Sequence, residues 1–490
     1  LLLALSLITN LGILGYFKYA YFFTDSFNLL FESKVQVTNW FALWANDLIS
    51  WFKENAPFTS SFFDEKGFNA DKIILPVGIS FYTFQTMSYS LDIYRKQLEP
   101  ARDIFDFAFF VTFFPQLVAG PIVRAKEFIP QLYKPYELNK EDFGWSLYMI
   151  LKGLIKKIVV ADFIAVHFID RIIHEPTSYP GFISVLAMWG YSMQIYCDFS
   201  GYTDIAIGIS RLMGFKLNEN FNSPYKAVNV AEFWKRWHIS LSSFLKDYLY
   251  IPIGGNKKAS IGSFLWLAMI LIFFSVILHQ YSSQYFDTQI MWYDFLIYSI
   301  IIIAILSLTG KLIPKLGKFL TTDMNLMITM TIGGLWHGNT MNFVIWGALN
   351  GFGLVIYKYW KRISPYEKSS FFLVHFWKIF ITFNFITFTR IFFRSPDMQT
   401  AHNMLNQIWY HFDFDWSVFI KVIAEAYPVV FIILFIAYLI HWLPGYIKNK
   451  MQDYFVSMPM PLQAAITSVS VFFIYQAVST GFQPFIYFQF

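Results

Sequence analysis

Residues 326–357 read LMITMTIGGLWHGNTMNFVIWGALNGFGLVIY. Two apolar runs, Leu326 to Leu335 and Phe343 to Tyr357, flank a histidine, with Gly333, Gly334 and Gly338 crowded around it. Runs of this kind predict helices, and the glycines let two backbones pack closely and leave the imidazole of His337 facing a cavity. A titratable side chain at membrane depth is costly and is a functional hypothesis by default. Neutral imidazole can take a proton from a hydroxyl near pH 7, as a general base must. The competing reading at this point is a core histidine that only hydrogen-bonds between helices.

The rest of the chain makes that depth the interior of a membrane. Of 490 residues, 56% are hydrophobic, 21% aromatic and only 14% charged, with a mean hydropathy of +0.45, whereas soluble domains carry about 25% charged residues. A bilayer core needs roughly 20 residues of helix. Candidate spanning or membrane-buried helices are Leu1 to Phe23, Ile73 to Tyr94, Phe105 to Ala119, Leu147 to Ile169, Phe182 to Tyr196 and Tyr202 to Met213. The second half adds Ile261 to Leu278, Phe295 to Leu308, Leu326 to Leu335, Phe343 to Tyr357, Phe371 to Phe388, Val429 to Leu443 and Leu462 to Val478. No long polar linker and no internal repeat divides them, so the expectation is one all-α, polytopic membrane domain over residues 1–490.

Several runs are shorter than a span and are interrupted by Pro76, Gly78, Pro115, Gly120 and Pro121, which reads as broken or re-entrant helix. Such backbone is tolerated where protein or a water-filled cavity covers it. Trp40 to Phe52 and Val230 to Tyr250 mix tryptophan with charge and read as interfacial helices. The net charge of +5 is read as lying in loops and not in a polybasic tail, and the basic clusters Lys156–Lys157, Lys257–Lys258, Lys311 to Lys318, Lys358 to Arg362 and Lys448 to Lys450 are candidate cytoplasmic flanks. It fits anionic lipid headgroups and the positive-inside bias, not nucleic acid. The opening run starts at Leu1 without the charged start or cleavage site of a signal peptide, so the natural chain is expected to begin further upstream.

Among nine histidines, His238 in AEFWKRWHISLSSFLKDYLYIPIGG is the second that stands apart by context. His167, His174, His279, His375, His402, His411 and His441 lie near segment ends or in loops and read as structural. A lone cysteine, Cys197, excludes an intrachain disulfide framework and a multi-cysteine metal site. Zinc-protease spacing, a phosphate-binding loop and a Gly-X-Ser-X-Gly elbow are missing too. Polar residues are nonetheless dense in apolar surroundings: Gln85, Asp92, Arg95, Gln116, Arg124, Gln194, Asp198 and Asp204. The bland reading of Asp198 and Asp204, as partners of lysine or arginine within the bundle, is the stronger one.

At these motifs the chain resembles the membrane-bound O-acyltransferase family, in its bacterial alginate and peptidoglycan O-acetylation branch. The resemblance rests on LPVGISFYTFQTMSYSLDIYR from Leu75, FFPQLVAGPIVR from Phe113, YCDFSGYTDIAIG from Tyr196, FNSPYKAVNVAEFWKRWHISLSSFLKDYLYIPIGGN from Phe221, GGLWHG from Gly333 and the terminal PFIYFQF. It implies a conical helix bundle, with re-entrant and interfacial helices around a central funnel, in a bacterial inner membrane. It also implies His337 as the catalytic residue and His238 as a second, supporting histidine. Trp336 and Asn339 beside His337, Arg236 beside His238, Asp198 and Gln116 become candidate substrate contacts.

In the related D-alanylation system a short carboxy-terminal motif of this aromatic type carries an acyl-accepting tyrosine, which Tyr487 in the 484–490 segment matches. The alternative for Tyr487 is an interfacial aromatic anchor. The resemblance implies acetyl-CoA as donor, no tightly bound cofactor or metal, a polysaccharide acceptor, and an extracytoplasmic Ser-His-Asp-type transferase as partner. One departure is that IPIGGN does not lead directly to the GLWHG helix: Ile261 to Leu278 and Phe295 to Leu308 intervene, read as a two-helix insertion over 259–324. A transporter or flippase of a small envelope substrate would share the broken helices and buried polar residues. It would move substrate without consuming acetyl-CoA.

Overall fold

A computed structural model describes residues 1–31, 33–55, 69, 72–118, 120–257, 322–478 and 483–485, with isolated positions between 268 and 301. Among the described residues every regular element is helical, and a single antiparallel bridge joins Phe221 to Trp237. The proposed two-helix insertion therefore lies almost wholly outside the described residues, as does Tyr487.

The chain divides into two compact units, Leu1–Thr83 with Ala268–Ile305 and Phe84–Leu267 with Leu306–Phe490. In the first, an apolar helix over Leu2–Asn28 is long enough to cross a membrane. Its buried Lys18 donates to Ser80 Oγ at 3.0 Å. The helix Trp40–Asn55 leaves Trp40, Trp44 and Trp51 exposed along its length, as expected of tryptophans at the headgroup level.

The second unit is built on two helices that touch backbone to backbone. Helix α1, Lys140–Leu154, is capped by the Asn139 side chain, which accepts from the Asp142 N–H, and continues through widened turns to Ile169. Helix α2, Gly181–Leu212, has 32 residues and is about 48 Å long at ~1.5 Å per residue. The sequence divides this stretch into two segments, but the structure runs one helix through Gly201. A mid-helix glycine costs only about 1 kcal/mol, and this one opens the contact with α1. A Cβ at Gly201 would stand 2.8 Å from the Gly153 carbonyl oxygen, and one at Gly153 would stand 2.5 Å from that of Gly201.

That closeness lets three lysines meet three aspartates. Asp204 accepts from Lys152 at 3.2 Å and Lys156 at 2.7 Å, while Lys157 lies 2.6 Å from both Asp162 and Asp198. Paired in this way, charges that would otherwise be prohibitive can be buried.

Five further helices frame the site: α3 (Val230–Arg236), α4 (Ile239–Leu245), α5 (Met324–His337), α6 (Met341–Ile363) and α7 (Phe372–Arg394). Among the described residues Phe372–Arg394 and Met460–Val478 also pass as membrane spans, and Trp416–Ala426 with Pro428–Trp442 pass as a pair bent by 91°. The Phe105 to Ala119 stretch is likewise broken, into Ile104–Thr112 and Phe114–Leu117, with Pro115 in the first turn of the second piece.

Burial is inverted relative to a soluble protein. Phe372, Phe376, Phe435, Leu439, Phe472 and Phe473 face outward, whereas Asn325, Asn342, Asn350, Thr389 and Arg390 are buried. An outward apolar surface of this extent calls for lipid.

Candidate functional site

The close crossing of α5 and α6 places His337. A Cβ at Gly334 would stand 2.3 Å from the Phe343 carbonyl oxygen, and one at Gly347 would stand 2.4 Å from that of Met330. Only hydrogen fits at either position. His337 is the last residue of α5, where the chain leaves the helix before turning into α6. Its ring is 4% exposed and lies edge-on to Trp336, Trp346 and Phe393, with centroids 5.0, 5.1 and 5.6 Å away.

His337 lines a small cavity of about 10 Å³, room for about one water molecule. Phe199, Trp234, Trp346, Asn350 and Arg390 contribute to the wall. Three of these bring polarity. The Trp234 indole N–H and the Asn350 side-chain oxygen are buried and have no hydrogen-bond partner among the described residues. Leaving such a group unpaired costs about 1–3 kcal/mol. Arg390 is buried inside a spanning helix, donates to the Tyr225 hydroxyl at 2.7 Å, and has the Trp237, Tyr225 and Phe233 rings 4.7, 5.2 and 5.8 Å from its guanidinium carbon. The cavity is thus aromatic in shape, positive in charge and incompletely hydrogen-bonded.

The second histidine is beside it. The His238 and His337 ring centroids are 6.2 Å apart. His238 sits at the break between α3 and α4, outside the spanning helices, with φ +45° and ψ +56°, a left-handed conformation that costs a non-glycine residue about 1–3 kcal/mol. Backbone pairing across the break holds it: Asn222 N–H donates to Arg236 O at 2.9 Å and Ile239 N–H to Asn220 O at 3.0 Å.

The side chain of Asn220 sets the tautomer. Its Oδ1 accepts the Ser240 N–H at 3.0 Å and the Ser240 hydroxyl at 2.9 Å, which identifies it as the carbonyl end of the amide. Nδ1 of His238, 3.2 Å from the same oxygen, must carry its proton and donate. Nε2 is then a bare acceptor, buried and without a partner among the described residues. Burial pushes the imidazole down to about 3 from its usual 6.5, so it stays neutral.

The remaining sequence candidates are spread out. Trp336 stacks on Phe84 at 5.2 Å and lies 6.1 Å from the His238 ring. Asn339 is half-buried just past His337. Arg236 turns to Glu232 at 2.6 Å and is partly solvent-facing. Gln116 is fully buried, and its amide donates to Phe110 O at 3.0 Å. Asp198 pairs with Lys157. Among the described residues no group of three or more His, Cys, Asp and Glu side chains could share a metal ion.

Sequence reasoning did not single out Asn220 or Arg390. Asn220 stands one residue before the FNSPYK motif, and Arg390 is a charge inside an otherwise apolar run. That second signal could have been read. Asn220 carried none, because its partner arrives from across a chain reversal.

Comparison with known proteins now adds to the geometry. The model of the membrane-bound O-acyltransferase family matches residues 101–310. A peptidoglycan O-acetyltransferase of Helicobacter pylori is 32% identical over 429 residues, covering 82% of this chain and 63% of that protein. A probable alginate O-acetylase of Pseudomonas aeruginosa is 32% identical over 406 residues, with coverages of 82% and 59%. Another, of Azotobacter vinelandii, is 30% identical over 523 aligned positions, with coverages of 100% and 84%. The chain thus spans 63% and 59% of the first two proteins' lengths.

Proposed function

This chain belongs to the membrane-bound O-acyltransferase family, and from that premise we propose that it transfers an acetyl group from acetyl-CoA to a hydroxyl carrier for O-acetylation of an extracytoplasmic polysaccharide. The observation that carries the reading is the buried imidazole of His337, on an aromatic-walled cavity that Arg390 and Asn350 also line, with its ring centroid 6.2 Å from that of a second, neutral imidazole. A bacterial inner membrane and a conical bundle around a central funnel complete it.

In this reading the acceptor hydroxyl is the phenol of Tyr487. His337 takes the phenolic proton, the oxygen attacks the thioester carbonyl, and the carbon–sulfur bond breaks. The imidazolium returns its proton to the departing thiolate, so charge and protons balance. Positive charge from Arg390 and the unpaired Trp234 N–H favour the oxygen as it becomes negative. His238, fixed as an Nδ1–H tautomer, presents Nε2 as an acceptor that orients a hydroxyl or water without competing for its proton.

An aryl ester stays reactive enough to pass the acetyl group onward, here to the serine of a Ser-His-Asp-type partner outside the membrane. A cavity of about 10 Å³ must widen to admit a thioester, so loading involves movement of the aromatic wall. The polysaccharide acceptor is supported by the relatives' names alone: peptidoglycan in one, alginate in the others.

The test is mass spectrometry of the carboxy-terminal peptide after incubation with labelled acetyl-CoA. Label is expected on Tyr487 in the wild type and absent in His337→Ala and Tyr487→Phe. Acetylation of the acceptor at the wild-type rate in His337→Ala would end this reading.

A further inference from the structure

The Lys157 ammonium does more than balance charge between α1 and α2. Held 2.6 Å from both Asp162 and Asp198, it also donates to the backbone carbonyl of Gln483 at 3.1 Å. Gln483 lies beyond the last spanning helix, Met460–Val478, and opens the segment that leads to the carboxy terminus.

Two residues on, Phe485 is 5% exposed, its ring 4.9 Å from Tyr202 and 6.1 Å from Phe199. Phe199 in turn lies edge-on to His238 at 4.6 Å. After a membrane span, the Phe485 ring is therefore buried against α2 while the half-buried Gln483 is held by the Lys157 ammonium.

A hydrogen bond from an ionised donor is roughly twice as strong as a neutral one. Accepted by a backbone carbonyl, it reads position and not side-chain identity, which suits a fixed anchor. The ammonium cannot swing, because two carboxylates hold it. Tyr487 follows Phe485 by two residues, and two residues of chain reach at most about 7 Å.

We propose that Lys157 is a positioning residue for the carboxy-terminal segment: with Phe199 and Tyr202 it docks Gln483 and Phe485, and so fixes the point from which the chain continues to Tyr487. This rests on the relay reading of Tyr487 for its consequence but not for the docking itself.

The test separates the two. Carboxypeptidase is applied to the full chain in detergent, and release of Phe485 is followed by intact mass. Release is expected to be at least about 10-fold faster in Lys157→Met and in Phe485→Ala (read as release of the alanine) than in the wild type. Lys157→Arg, which keeps the charge and the donor, is expected to stay close to the wild type. In Lys157→Met, labelling of Tyr487 is expected to fall about 10²-fold with the KM for acetyl-CoA unchanged, as for a reacting group misplaced by about 1 Å.

Should Lys157→Met not fold, Phe485→Ala decides, since it leaves the buried lysine and aspartates intact. Unchanged release in the folded variants overturns the docking, and label on Tyr487 that is present in the wild type and undiminished in folded Lys157→Met overturns the positioning. Tyr487→Phe is expected to release Phe485 at the wild-type rate. If acceptor acetylation persists in Tyr487→Phe, the relay reading fails while the docking stands.

Discussion

Adding one methyl group at Gly334 tests how closely the α5–α6 crossing controls the site. Gly334 lies on α5 just before His337, and its new Cβ would stand 2.3 Å from Phe343 O and 2.8 Å from Gly347 Cα. A close C···O contact is about 3.3 Å, so α6 must recede by about 1 Å. Both obstacles are backbone, and no rotamer change relieves them. Overpacking of this kind costs about 1–3 kcal/mol, and a shift of about 1 Å at a reacting group costs about 10²-fold in rate.

Gly333 is the control, because among the described residues a Cβ there meets only the end of the Leu245 side chain, at 3.0 Å. Labelled acetyl transfer in proteoliposomes and thermal unfolding in detergent are the assays. Gly334→Ala should lose about two orders of magnitude in rate and several degrees in Tm, while Gly333→Ala should stay within a few-fold of wild type. Wild-type rate and Tm in Gly334→Ala would refute the claim that the crossing positions His337.

Three further outcomes follow from the site. His337→Ala should lower acetyl transfer by about 10²–10⁴-fold, the usual worth of a general base, with Tm little changed; single-turnover kinetics with labelled acetyl-CoA measures it. His238 is held near 3 against an ordinary 6.5, so the unfolded chain takes up a proton below pH 6.5 that the native chain refuses. Stability should fall from pH 6.5 toward 3 by about 1.4 kcal/mol per pH unit from this group, and His238→Gln should remove that slope; parallel Tm curves for the two proteins between pH 4 and 7 would contradict it. Arg390→Met should slow transfer by more than it raises the KM for acetyl-CoA, because its charge is expected to act on the developing oxyanion; equal change in both terms would assign it to ground-state binding instead.

Much of this protein could be read from composition and local pattern. Bilayer solvation forces long apolar runs and few charges, so the membrane class and most helix positions were visible in sequence. The glycines around His337 mark a close helix crossing in the sequence itself. His238 was marked by its local context.

Only the tertiary structure could decide which residues met across distance. It joined two candidate segments into α2, because Gly201 faces Gly153 and not solvent. Asn220 became the group that fixes the His238 tautomer, Arg390 joined the wall of the His337 cavity, and Asp198 was committed to Lys157. Each pairing spans a chain reversal or a helix crossing, and periodicity along one segment carries no information about what packs against it. Hydropathy is a property of each residue in its own solvent, whereas a catalytic geometry is a property of several residues that only folding brings within a few ångströms.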